Sequence, residues 1–208
     1  MATLAETVGT VETTPLVVKL PSSIVEMTDD QFFDFCQVNR DLRIERTAEG
    51  EIVIMLPAGF GSGCRNAIIT EQLRAWAKRN GTGVAVDSSA GFKLPSGATR
   101  SPDAAWILKS RLKPLSIEER EKFLPLCPDF VVELRSPTDR LADLKRKLEE
   151  YIDNGARLGW LIDPPGRQVF IYRPARTVEV LDHPETVSGD PELAGFVLDL
   201  KGVLEPES

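Results

Sequence analysis

The sequence predicts a mixed α/β fold with a central mixed β-sheet flanked by helices, and three observations carry that expectation. Short apolar runs of strand character alternate with two long stretches of helical periodicity. The run at 130–134 is apolar throughout except for one acid, as expected of a strand covered on both faces. A helix and a further apolar run follow it before residue 162, the pattern of a crossover onto a parallel neighbour. With 208 residues, 42% hydrophobic and 27% charged, the chain suits one ordinary domain, expected over 21–208.

Residues 1–20 mix Thr, Val and Glu without sustained period and read as a flexible arm. Thr28-Asp29-Asp30 supplies a helix cap ahead of Phe32, Phe33, Phe35 and Cys36. Strands at 42–46 and 51–55 flank a Glu49-Gly50 turn. Between 62 and 80, Ile68, Ile69, Leu73, Trp76 and Ala77 recur at helical spacing until Asn80-Gly81 stops the helix. Short strands near 84–86, 91–94 and 104–108 and a charged helix at 116–122 come next. The strand at 130–134 is closed off by Pro137. A helix over 140–154 then carries Leu141, Leu144, Leu148, Tyr151 and Ile152 as one apolar stripe and ends at Gly155. Strands at 158–162, 169–172 and 178–181 complete the series, and no internal repeat is visible.

Charge bounds the partners. The net charge of −7 argues against an anionic partner, because affinity for nucleic acid comes largely from Lys and Arg neutralising phosphates. The distribution differs: residues 1–57 carry 4 basic and 10 acidic groups, 58–147 carry 16 and 10, and 148–208 carry 5 and 12. The centre is basic, so nucleic acid stays in play. No secretory leader and no membrane-length apolar run is present, and a soluble, cytoplasmic protein without a membrane partner is expected.

Several chemistries are disfavoured. Cys36, Cys64 and Cys127 are too scattered for a disulfide framework or zinc cluster and are expected as small buried hydrophobes. His183, the one histidine, lies in an Asp182-His183-Pro184 turn, which disfavours Ser-His-Asp and Cys-His catalysis. The run Gly59-Phe60-Gly61-Ser62-Gly63 lacks the Gly-Lys-Ser/Thr of a phosphate-binding loop and reads as a pliant lead into the next helix. Asp163, before Pro164, reads as a structural strand-end residue.

Two acids stand out instead: Asp103 in Ser-Pro-Asp-Ala-Ala-Trp-Ile and Glu133 in Pro-Asp-Phe-Val-Val-Glu-Leu-Arg, followed by Lys145 and Lys147 on a helix. Hydrolysing a phosphodiester needs a hard cation held by a few oxygen ligands, with positions open for substrate and water. Two carboxylates supply such a clamp, and a lysine orients or helps deprotonate the water or neutralises charge building on the phosphate. Each residue also has a bland reading: Asp103 as a turn residue, Glu133 as an ion-pair partner for Arg135 or Arg140, the lysines as helix-flank cations. Helical geometry places Lys145 and Lys147 at opposite edges of the apolar stripe, and periodicity alone does not choose between them.

These motifs, together with Lys-Leu-Glu-Glu-Tyr-Ile-Asp-Asn-Gly-Ala-Arg-Leu-Gly-Trp-Leu-Ile-Asp-Pro, resemble the Uma-type restriction endonuclease family of cyanobacterial type from about residue 51 to about residue 200. The resemblance implies a restriction-endonuclease-like fold with a PD-(D/E)xK metal site. It implies Asp103 and Glu133 as ligands of Mg²⁺ or Mn²⁺, Lys147 as the catalytic lysine and DNA as substrate. Where the standard motif has its lysine two residues after the second acid, this chain has Arg135, and the lysine is moved onto the following helix with Tyr151 four residues on. Glu71, Arg135 and Lys145 are the supporting candidates. A homodimer that sets one site on each strand is the expected assembly for double-strand cutting. The rival expectation is a catalytically inactive domain of the same fold that binds nucleic acid or protein.

Overall fold

A computed structural model describes residues 15–18 and 27–205. In chain order it has β1 (Leu16–Val18), α1 (Asp29–Val38), β2 (Arg43–Arg46), β3 (Ile52–Met55), α2 (Phe60–Asn80), β4 (Gly83–Asp87), β5 (Phe92–Lys93), β6 (Thr99–Arg100) and β7 (Ala104–Leu108). It continues with α3 (Lys109–Leu112), α4 (Ile117–Glu121), β8 (Phe130–Leu134), α5 (Leu141–Asp153), β9 (Leu158–Asp163), β10 (Gln168–Tyr172), β11 (Glu179–Asp182), β12 (Thr186–Ser188) and β13 (Val197–Asp199).

The main sheet runs β11-β10-β9-β8-β7-β4 and is antiparallel except for β8 beside β9, which are parallel and joined through α5. The expected crossover and mixed sheet are therefore present. The sheet is apolar on both faces, which is why β8 and β9 read as continuous apolar runs. On one face α2 sets Ile69, Leu73 and Trp76 against Trp106, Phe130 and Trp160, with Phe196 of the C-terminal segment stacked on Trp160. On the other face α5 sets Leu148 and Tyr151 against Val131, Leu161 and Phe170. The strand period of two then dictates that Glu133, in step with Val131, points to the α5 side.

A second sheet, β1-β3-β2-β6-β5, packs with α1 around Phe32, Ile44 and Ile52. Thr28 caps α1 in a reciprocal capping box with Gln31. The β2–β3 hairpin turns at Gly50, whose φ of +84° suits glycine.

Of the stretch expected as a flexible arm, residues 1–14 and 19–20 lie outside the described residues. Leu16–Val18 instead form an edge strand on β3, where Val17 and Val18 are stiff β-branched residues that suit the pleat. Cys127 is buried as expected, while Cys36, packed against the core around Phe32, and Cys64 on α2 are only half-buried. Among the described residues no helix is long and apolar enough to cross a membrane.

Candidate active site

The antiparallel register of β7 on β8 pairs Ala104 with Val132, so Asp103, one residue before β7, lies across from Glu133 near the end of β8. The Leu134 amide donates to Asp103 Oδ2 at 2.8 Å and fixes that carboxylate to the neighbouring strand. Asp103 Oδ1 receives Arg43 and Asn66 at 3.4 Å each, both long contacts. The second Pro-Asp step, at Asp129, is spent on structure: its carboxylate accepts from the Leu108 amide and pairs with Arg111.

From α5, Lys147 Nζ comes within 2.9 Å of Glu133 Oε1, and one turn on the Tyr151 hydroxyl donates to the same oxygen at 3.0 Å. Lys145 leaves in the other direction and lies 4.2 Å from the centroid of the Phe170 ring. Periodicity left the two lysines open; the helix is set down so that Lys147 is the one at the acids.

Sequence reasoning missed the other half of the cluster. Lys147 Nζ also lies 2.9 Å from Glu45 Oε1 on β2, which accepts from the Ser101 amide at 2.9 Å, while Glu45 Oε2 takes Arg100 at 3.3 Å. Arg100 is held in turn by a two-pronged contact with Glu150 of α5. Arg43, also on β2, donates to the Ser101 carbonyl at 2.6 Å and reaches Asp103. The available signal was that Arg43 and Glu45 share one face of a strand whose opposite face carries the core residue Ile44. A wholly charged strand face reads as a solvated one unless a second layer covers it.

The supporting candidates separate. Glu71 is exposed on α2 and does not reach the cluster, because the helix turns Asn66 rather than Glu71 toward Asp103. Arg135 is turned away into a structural pair with buried Asp163 at 3.1 Å and donates to the Asp139 carbonyl. Asp163 thus has the structural place expected of it. His183 sits at the surface with φ +50° beside Asp182.

Electrostatics set the protonation states. Burial lifts the Glu133 carboxyl to about 7; Lys147 opposes this, while the like charges of Asp103 and Glu45 reinforce it. Burial works against an ionised Glu45 too, but Lys147, Arg100 and the Ser101 amide outweigh it and hold that carboxyl below its ordinary range. Lys147 is pressed down by burial and raised more strongly by Glu133 and Glu45, so it stays an ammonium. Burial, with Glu133 close by, keeps the Tyr151 phenol protonated. Four acids (Glu45, Asp103, Glu133, Glu150) meet three bases (Arg43, Arg100, Lys147), so the ionised cluster has one negative charge in excess.

That excess and the oxygen-rich donor set fit a hard divalent cation. Asp103 Oδ1 has only long partners, and Asn66 Oδ1 is a buried acceptor with no partner among the described residues. Asp103 and Glu133 are the residues that would hold it. No third acid joins them, since among the described residues no three His, Cys, Asp or Glu side chains are grouped to hold a metal ion. Glu45 is taken up by Lys147 and Arg100.

Comparison with solved structures finds a crystal structure from Anabaena variabilis ATCC 29413, described as a putative nuclease belonging to DUF820. It superposes with a TM-score of 0.67 at 21% identity over 86% of this chain and 97% of the other. At that identity the likeness speaks for the fold, which is restriction-endonuclease-like. A search of curated proteins finds no match. The family described as "Uma2: Putative restriction endonuclease" matches residues 29–201, most of the length and every element of the cluster, and the chain belongs to that family.

Proposed function

We propose that the protein is a divalent-metal-dependent nuclease, using Mg²⁺ or Mn²⁺, that hydrolyses DNA phosphodiester bonds at the cluster where the two sheets meet. Its catalytic groups are Asp103, Glu133 and Lys147, and Asp103 and Glu133 are the metal ligands. The observation that carries this reading is the convergence of two strand-borne carboxylates and a buried ammonium, with Lys147 2.9 Å from Glu133 and Asp103 locked to the same strand end. Family membership supports the reaction class and DNA as its substrate.

When bound, the cation would supply Lewis-acid polarisation of the phosphate and lower the pKa of a bound water. The chain's own groups do the rest. Lys147, held as an ammonium, neutralises charge on the phosphoryl oxygens and orients the attacking water rather than deprotonating it. Tyr151 fixes the Glu133 carboxylate from behind. Arg43, whose side chain is 32% exposed, is the cluster's most open cation and is placed to meet an incoming phosphate. The fold acts as a single domain over 21–208, in the cytoplasm, as a two-fold dimer.

The test is relaxation of supercoiled plasmid with Mg²⁺ or Mn²⁺ by the parent and by Asp103→Ala, Glu133→Ala and Lys147→Ala purified identically. Metal-dependent nicking lost in all three variants is the expected result. An inert parent on several DNA forms would replace this reading with the non-catalytic binding domain, and nicking that survives every substitution would move the site elsewhere.

A further inference from the structure

The first turn of α2 has a composition that the fold does not explain. Phe60 opens the helix with its ring 90% exposed, and it is the one exposed aromatic side chain among the described residues. Gly59 and Gly63 beside it have ordinary backbone angles, and a Cβ added at either would meet nothing within 4 Å. Gly59 is the N-cap, where glycine is a favoured residue, but at Gly63, inside the helix, neither packing nor backbone geometry calls for glycine, which costs about 1 kcal/mol against alanine there. What the glycines do provide is an unobstructed surface around the ring.

Arg65 lies one turn further on. It has no hydrogen-bond or ion-pair partner among the described residues, and its Nε is buried and unpaired. A Cβ at Gly61 would come within 3.3 Å of its Nη1, so the guanidinium lies back along the bare turn. An unpaired guanidinium in a chain of net charge −7 is unusual, because acids to pair with it are abundant. The next residue, Asn66, donates to Asp103 Oδ1. Phe60 is six residues earlier, about 9 Å along the helix axis. Along the axis the guanidinium, folded back over Gly61, lies between the ring and Asn66, although Arg65 leaves the helix about 140° round from Phe60.

The cluster itself is recessed. The side chains of Asp103 and Lys147 are each 10% exposed and that of Glu133 is 3% exposed. A phosphate reaches such groups on a chain that can bend into the opening, which a paired duplex resists and a single strand does not.

We infer that Phe60 and Arg65 are a strand-binding subsite whose ligand is single-stranded or locally unpaired DNA, with Phe60 stacking on a base and Arg65 pairing with a neighbouring phosphate. This rests on the nuclease reading for the identity of the polymer and goes beyond it in naming the form that is bound. An exposed ring serves unpaired bases, whose faces are open; in a duplex those faces are covered by stacking.

Fluorescence anisotropy in EDTA, where cleavage is not expected, tests this with a labelled single-stranded oligonucleotide and a duplex of the same sequence. The parent is expected to bind the single strand more tightly. Phe60→Ala is expected to weaken single-strand binding about tenfold and leave duplex binding alone, while Phe60→Trp retains it. Arg65→Gln is expected to weaken binding and reduce its salt slope by about one phosphate contact. Phe60 is exposed and Arg65 half-buried, and unchanged thermal melting confirms folding of each variant. Equal affinity for the two forms, or single-strand binding indifferent to Phe60→Ala, overturns the inference. Single-strand binding without turnover would keep it while removing the nuclease reading, and metal-dependent cleavage with no strand preference would do the opposite.

Discussion

Lys147 serves two carboxylates with one ammonium, and the two are not equivalent. Glu45 stays ionised through three partners, whereas Glu133 titrates near 7 because burial and two like charges work against it. A carboxyl raised from 4.5 to about 7 on folding lets the folded state hold its proton longer, so stability falls as pH climbs through that window, by up to about 3 kcal/mol. Glu133→Gln carries no charge at any pH and removes that loss. Urea unfolding in EDTA should show the variant gaining on the parent between pH 5 and pH 8, and parallel pH profiles would contradict the assignment. Glu45→Gln leaves Lys147 with one anchor and should slow cleavage about 10- to 100-fold, while Lys145→Ala, which removes only the contact with Phe170, should leave plasmid relaxation unchanged. Asp103 and Glu133 stood out in the sequence because an acid at the border of an apolar strand breaks a pattern, whereas Lys145 and Lys147 sat equally at the edges of the apolar stripe and only the family resemblance singled out Lys147. Glu45 broke no pattern. Arg43-Ile44-Glu45-Arg46 has three charges in four residues and looks solvated, and only the packing of the second sheet buries it.

At the scale of elements, the site depends on how α5 is laid across the sheet. Leu148 follows Lys147, is fully buried, and stands over Gly159 of β9 so closely that a Cβ there would come within 2.7 Å of its Cδ1. That close approach draws the helix down onto the strand and sets the height of Lys147 above Glu133. Leu148→Ala opens a cavity and should cost about 2–5 kcal/mol by denaturant unfolding. It should also depress cleavage at temperatures where the variant is still folded, since Lys147 loses its floor; full activity in a destabilised variant would show that other contacts hold the lysine. The longer elements, α1, α2, α5 and β7 to β10, were legible because each shows several turns of period or an unbroken apolar run. The strands β1, β6, β12 and β13 and the helix α3 are two to four residues long and offer no period to read. Pairing across space creates them, as when Arg46 of β2 meets Thr99 of β6 and thereby brings Arg100 to Glu45.

The whole molecule closes its site from two sheets, since Glu45, Arg43 and Arg100 come from one while Asp103, Glu133 and the helix bearing Lys147 come from the other. Once Glu133 is ionised the cluster carries one excess negative charge at that junction, and a divalent cation held between Asp103 and Glu133, as proposed, would relieve it. Binding to the folded state alone stabilises by mass action, about 2.7 kcal/mol at a concentration 100 times the dissociation constant, which for a chain of this size corresponds to a rise in melting temperature of roughly 5–10 °C. Because Glu133 would hold the proposed cation as the carboxylate and its carboxyl keeps a proton up to about 7, cation and proton would compete. The melting shift with Mn²⁺ should therefore be larger at pH 8 than at pH 6, and it should vanish in Asp103→Asn. Glu133→Gln should lose most of the shift and all of its pH dependence. A shift of equal size at both pH values, or one that persists in Asp103→Asn, would place the cation away from these two carboxylates.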